Sequence, residues 1–261
     1  DDRLGDAFVE IALEPYARRM GDKMGKSIPG DFIDNEGDYG RGLAWSDALD
    51  RRFKKRHNRD IRLTMPLMVN EDAEGQYAKM RWEGFDLVSD LYADNFRIVT
   101  DWHEKRGMYT TAHVWEEGLP PQVNAVGDHM KILRALTMPG QDCLGRKALR
   151  VHDFKEIESV AEFGNVRAAT ELMGAGAFEG KPWGTFNPVF LKQAINAVTA
   201  WGMSHVIPHG VFTARRGAAP FDPQGVPCTL LYRRILEECA TVSEAEEILR
   251  RERPTTALSV V

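Results

Sequence analysis

Several short apolar segments of this chain end in side chains that can move protons or hold polar ligands. Ile28-Pro29-Gly30-Asp31-Phe32-Ile33 runs into Asp34-Asn35-Glu36. Met108 to Val114 carries His113 and is followed by Glu116 and Glu117. Val166 to Leu172 carries Glu171, and a segment from His205 ends in Pro208-His209-Gly210. In a β/α barrel, catalytic groups project from the C-terminal ends of the strands, so these groups can converge on one pocket. Two carboxylates flanking a sugar bond are the usual apparatus of glycoside hydrolysis. One protonates the leaving oxygen; the other attacks the sugar or activates water. Glu36 and Glu171 fit that pair in residue type and placement. Asp34, Asn35, His113, Glu117 and His209 are the candidates for binding sugar hydroxyls.

Each of these residues also has a plainer explanation. Asp34 is a common turn former, Glu36 has a secondary reading as a solvated loop charge, and Glu116 and Glu117 read equally as solvent-facing charges. His113 and His209 read equally as satisfied buried histidines. Glu171 is harder to explain structurally. Ala168, Ala169, Leu172 and Met173 flank it, and an unpaired carboxylate among apolar groups costs free energy. Glu36 instead lies in a polar loop beside Asp34 and Asp38. Contrasting environments are how an acid and a base are told apart, and which glutamate is the acid stays open. Paired carboxylates also bind metals. Surplus carboxylates here would suit Ca2+, but no spacing indicates it, and no cofactor is expected.

The elements that must position these residues follow from periodicity. Apolar residues from Phe8 to Met24 recur at helical spacing over Leu4 to Met24, with Pro15 set to kink or restart the helix. Ser46 caps a helix running through Phe53 to about His57, with Asp47 suiting its dipole. Met65 to Gln76 reads as loop. Tyr77 to Arg106 reads as a long amphipathic helix, with an interruption at Gly84 and a stop at Gly107. Strands are expected at Ile28 to Ile33, Met108 to Val114, Ala135 to Pro139, Val166 to Leu172 and His205 to His209, with a helix from Phe190 to Trp201. Strands separated by helices point to parallel β/α units. Gly- and Pro-rich residues 218–225 read as a linker after a domain of residues 1–217. Residues 226–261 read as a helical segment: a helix from Thr229 to Cys239, a capped helix from Ser243, and a final strand.

Composition sets the outer bounds. The chain has 261 residues, 34 basic and 39 acidic, a net charge of −5, and 43% hydrophobic residues. That balance excludes a disordered chain and allows an ample core. The mild acidity argues against nucleic acid as a partner. No apolar run approaches the roughly 20 residues of a membrane span. Cys143, Cys228 and Cys239 are too few and scattered for a disulfide framework or a zinc site. The chain opens Asp1-Asp2-Arg3 without a signal peptide, which suits both a cytoplasmic protein and an exported one whose leader has been removed.

The same motifs carry a family resemblance. Ile28 to Glu36, the Trp45 helix, Ala112-His113-Val114-Trp115-Glu116-Glu117, Gly127-Asp128, Met138 to Gly145, Thr170 to Ala175 and Gly202 to Phe212 agree in order and spacing with a known pattern. Residues 1 to 222 resemble the catalytic barrel of α-L-rhamnosidase-like glycoside hydrolases. The resemblance implies a (β/α)8 TIM-type barrel acting on carbohydrate, with active carboxylates on the Asp34–Glu36 and Glu171 strand ends. Only five strands are counted before residue 217, so the fold expected is a partial barrel, and its family's further β-rich domains are absent. Residues 225–261 resemble another family, the acyl-coenzyme A:6-aminopenicillanic acid acyltransferase-like N-terminal nucleophile hydrolases. The alternatives to a glycosidase are therefore an amide hydrolase or acyltransferase of that class and a non-catalytic fragment. The nucleophile class needs Cys, Ser or Thr at the mature N-terminus, and this chain starts with Asp1.

Overall fold

The computed structural model describes residues 2–34, 45–114, 118–144, 150–172, 188–208, 234, 238, 239 and 241–251. The linker 218–225 and most of the segment after it lie outside these residues. The chain divides into two compact units. One comprises Asp1–Gln141 and Lys155–Ala169; the other comprises Asp142–Phe154 and Thr170–Val261.

The N-terminal helix restarts at its proline. Helix α1 (Leu4–Phe8) widens into a π-helical turn (Val9–Leu13) and resumes as α2 (Glu14–Met20). Pro15 stands in the first turn of α2, where its missing N–H removes no intrahelical bond of α2. Strand β1 (Gly30–Ile33) follows. Ser46 caps α3 (Asp47–His57), its Oγ accepting from the Leu49 N–H at 3.1 Å, and Asn58 closes that helix in the left-handed region at φ 50°.

Residues expected as a loop belong instead to α4 (Ile61–Val69). Pro66 stands inside it and deletes one backbone bond, which is why the sequence reads as a break. Three interactions offset that loss. Asp60 caps the start by accepting from the Arg62 N–H, the Asn70 N–H donates to the Pro66 carbonyl at 2.9 Å, and Ile61 and Met68 are buried.

Helix α5 (Gln76–Glu104) runs 29 residues without the expected interruption. Gly84 is a packing position: a Cβ there would lie 2.4 Å from the Met68 methyl group. The buried face of α5 joins two clusters. Leu87, Val88 and Leu91 pack with Leu49 and Phe53 of α3 and Ile61 of α4. Val99 and Trp102 pack with Leu13, Met24 and Met108. Each such fully buried side chain contributes roughly 1.5–3 kcal/mol. Among the described residues no helix is long and apolar enough to cross a membrane.

Strand β2 (Tyr109–Ala112) pairs parallel with β1, with Gly30 opposite Tyr109 and Ile33 opposite Ala112. Parallel strands need a long crossover, and α3, α4 and α5 supply it. Helices α6 (Leu119–Val126) and α7 (His129–Leu133), absent from the sequence expectation, lead to β3 (Met138–Cys143). This strand starts three residues later than expected, because Ala135 and Leu136 still donate to carbonyls of α7. It is parallel to β2, with Thr111 opposite Met138. Gly140 permits that approach, since a Cβ there would stand 2.5 Å from the Ala112 carbonyl oxygen.

Helix α8 (Val151–Gly164), also unforeseen, precedes β4 (Ala169–Leu172). Helix α9 (Pro188–Ala200) precedes β5 (His205–Pro208). Near the C-terminus, α10 (Val242–Arg251) packs on α9. A reciprocal cap starts α10: the Thr241 N–H donates to Glu244 Oε2 at 2.8 Å, and the Glu244 N–H donates to Thr241 Oγ1 at 3.3 Å. This arrangement satisfies two orphan donors at once. The described strands follow the order β1-β2-β3-β4-β5 in the sheet. The chain is therefore α/β, with consecutive strands joined through helices.

An ion ladder on α5 ties its neighbours down. Asp86 and Asp90 of α5 both pair with Arg56 of α3 and with Lys131 of α7. Burial acts to raise the Asp90 pKa, but hydrogen bonds from Lys131 and Arg56 outweigh it and hold the carboxyl below its ordinary value. A carboxylate with a depressed folded pKa stabilises the fold above its unfolded pKa of about 3.9, and that contribution is lost as pH falls through the folded value. Asp90→Asn should therefore cost about 0.5–1 kcal/mol at pH 6.5 and progressively less below about pH 3.9. Urea denaturation of both proteins at pH 6.5 and pH 3 checks this.

Candidate active site

Register builds the first part of the site. The last ladder pair of β1 and β2 is Ile33 with Ala112, so one residue further on Asp34 stands opposite His113. The two side chains meet, with His113 Nε2 3.5 Å from Asp34 Oδ1. The environments of the partners differ. The imidazole is 1% exposed, whereas the carboxylate is 52% exposed. A carboxylate set against one ring nitrogen orients an imidazole and fixes where its proton sits. Such a pair can accept hydrogen bonds from a polar ligand or donate to it, and can pass a proton.

Side chains alternate across a sheet, and the neighbours follow that rule. Phe32, two residues before Asp34, lies against the His113 ring with centroids 5.5 Å apart and planes tilted by 43°. Thr111 shares that strand face. Its hydroxyl is buried and has no hydrogen-bond partner among the described residues. Asp31 and Ile33 point the other way. Ile33 joins the helix-side cluster, and Asp31 Oδ2 lies 3.6 Å from Nε2 of the buried His103 on α5. The Nδ1 of His103 meets the Val99 carbonyl at 2.8 Å. A carbonyl only accepts, so that nitrogen carries the proton. Sequence reasoning missed this second Asp–His pair. The available signal is the spacing of Asp31 and Asp34, which puts the two carboxylates on opposite faces of one strand.

Glu171 is the third residue of β4, 6% exposed, between the fully buried Thr170 and Leu172. Its burial agrees with the apolar flanks that single it out in the sequence, although it sits within the strand, with Leu172 still to follow. Glu36, Asn35, Glu117 and His209 lie outside the described residues. A further polar cluster joins α6, α7 and α8. Gln122 Nε2 lies 2.8 Å from His129 Nδ1 and 3.1 Å from Glu156 Oε2, with Gln122 and His129 buried. It packs the crossover helices together and was not legible, because neither α6 nor α8 was expected.

The unpartnered Thr111 hydroxyl supplies a test. A buried hydroxyl without a partner carries a desolvation penalty of about 1–3 kcal/mol, which an isosteric methyl group removes. Thr111→Val should leave the fold intact and raise its stability by about 1 kcal/mol. Thermal denaturation of the variant beside the wild type measures this.

No protein-family model matches the chain, and no curated protein does. Among solved structures it is similar to a rhamnosidase from Novosphingobium sp. PP1Y, with a TM-score of 0.56 and 18% sequence identity. The match covers 81% of this chain but only 20% of that one, so the chain spans about a fifth of its structural neighbour. At that identity the likeness extends to the fold: the chain shares its architecture with part of a rhamnosidase.

Proposed function

We propose that this chain forms part of the catalytic β/α barrel of a glycoside hydrolase, with an α-L-rhamnoside as the leading substrate. The observation that carries this proposal is the Asp34–His113 pair, built at the C-terminal ends of two adjacent parallel strands, where barrel enzymes keep their chemistry. The fold likeness to a rhamnosidase supports it. The TIM-type character, the partial barrel of residues 1–217, the linker 218–225 and the separate segment 226–261 belong to the same proposal.

In this scheme Glu36 and Glu171 are the acid/base pair. One carboxyl group protonates the glycosidic oxygen as the bond breaks, while the other stabilises or attacks the oxocarbenium-like centre or activates water. Asp34 and His113 would hold sugar hydroxyls, together with Asn35, Glu117 and His209. The buried, carboxylate-paired imidazole of His113 would offer a fixed contact, and the exposed Asp34 would face arriving substrate. A hydroxyl held by two charged or polar groups fixes the sugar ring before bond cleavage, which reduces the entropic part of the barrier.

The test is direct. A complete enzyme containing this chain should release 4-nitrophenol from 4-nitrophenyl α-L-rhamnoside. Glu171→Gln should lower kcat by about 10²–10⁴-fold, with circular dichroism and melting temperature close to wild type. Unchanged turnover in that variant, or no turnover of any aryl glycoside by the complete wild-type enzyme, would overturn the proposal.

A further inference from the structure

We propose that the pocket between α1, α5 and β1 is a binding site for a small neutral aromatic molecule of two fused rings, separate from the proposed sugar site.

The separation follows from strand geometry. Ile33 lines the pocket and packs on the helix side of β1. Asp34 is the next residue, and successive side chains of a strand point to opposite faces. A ligand in this pocket therefore lies on the other side of β1 from the Asp34–His113 pair.

A close contact fixes the pocket wall. Gly5 brings α1 hard against α5: its N–H donates to Asn95 Oδ1 at 2.7 Å, and a Cβ there would stand 2.9 Å from the Asn95 carbonyl oxygen. The buried Phe96 and Val99 of α5 form the floor, and the exposed Leu4 stands at the mouth. The volume is about 310 Å³, within the range of small-molecule pockets. An apolar cavity of about 150 Å³ takes a benzene ring, so roughly twice that volume suits two fused rings.

The lining sets the chemistry of the occupant. Among the described residues no charged side chain lines the pocket. The Asn95 amide is engaged at both ends, since its Nδ2 also donates to the Leu91 carbonyl at 2.7 Å. That leaves little to hold a water, which needs about two to four polar partners. Water so loosely held is displaced at a gain by an apolar group. Phe8, Tyr92 and Phe96 line the same space. Aromatic walls favour an aromatic guest over an aliphatic one of equal size, because edge-to-face and offset ring contacts add to the area buried.

Indole is the probe. The whole chain, 13C-labelled at its Leu, Ile and Val methyl groups, is titrated with indole and followed by NMR. The Leu4, Ile33 and Val99 signals should shift and saturate with a Kd of about 1 mM or tighter. Those of Leu49 and Ile61, in the cluster under α3 and α4, should stay in place. L-Rhamnose at the same concentrations should move none of the five. Leu4→Trp tethers an indole ring at the mouth and should weaken binding about three- to tenfold. Phe8→Leu removes one aromatic wall and should weaken it about two- to tenfold. Either variant, once folded, decides. Absence of a saturable shift at Leu4, Ile33 and Val99 would overturn the proposal, as would unchanged affinity in a folded variant. So would shifts of these signals with L-rhamnose, or with protein concentration alone, which would put a second copy of the chain in the pocket. Glycoside turnover by the complete enzyme is judged separately and does not bear on this result.

Discussion

The parallel pairing of β1 with β2 is the constraint on which the site depends. A slip of one residue would turn every side chain of the strand to the opposite face. Asp34 would then leave His113, and Asp31 would leave His103. The register therefore sets two Asp–His contacts at once, one at the strand ends and one beneath the helices. Ile33, packed against the helix-side cluster of Val99 and Trp102, resists such a slip, because its apolar side chain would lose its partly buried place.

Helix α5 holds that register. One end contributes Trp102 and the buried His103 to the layer over β1, and its middle packs against α3 and α4. Its outer face carries the carboxylates that pair with Arg56 and Lys131. Ser89 extends the same helix towards the crossover, where its Oγ accepts from the Asp128 N–H at 2.7 Å. A single long helix thus fixes the strand before the first site residue and the helices after the second. This division of labour is common in β/α folds, where rigid elements carry the loops that do chemistry.

What could be read in the sequence was local. The Ser46 cap, the restart at Pro15 and the apolar stripe of α5 each follow from residues within one or two turns, and each stands in the structure. The buried setting of Glu171 was also visible, because its own neighbours create it. What could not be read depends on partners distant in sequence. Pro66 reads as a break until Met68 finds the gap that Gly84 leaves in α5. Gly84 reads as an interruption for the same reason, seen from the other side. His103 shows its role only when Asp31 is brought beneath it by the sheet. Of the seven candidate site residues, Asp34, His113 and Glu171 are described, and Asp34 and His113 meet each other.

The central claim is that Glu36 and Glu171 face one sugar bond. The most direct measurement is their carboxyl separation in a crystal structure of the protein with a rhamnose-derived inhibitor bound. The account predicts a separation of roughly 5–5.5 Å for a retaining enzyme or roughly 6.5–9.5 Å for an inverting one, with the inhibitor ring between the two groups. A separation beyond about 12 Å, or an inhibitor bound away from both carboxylates, would contradict it.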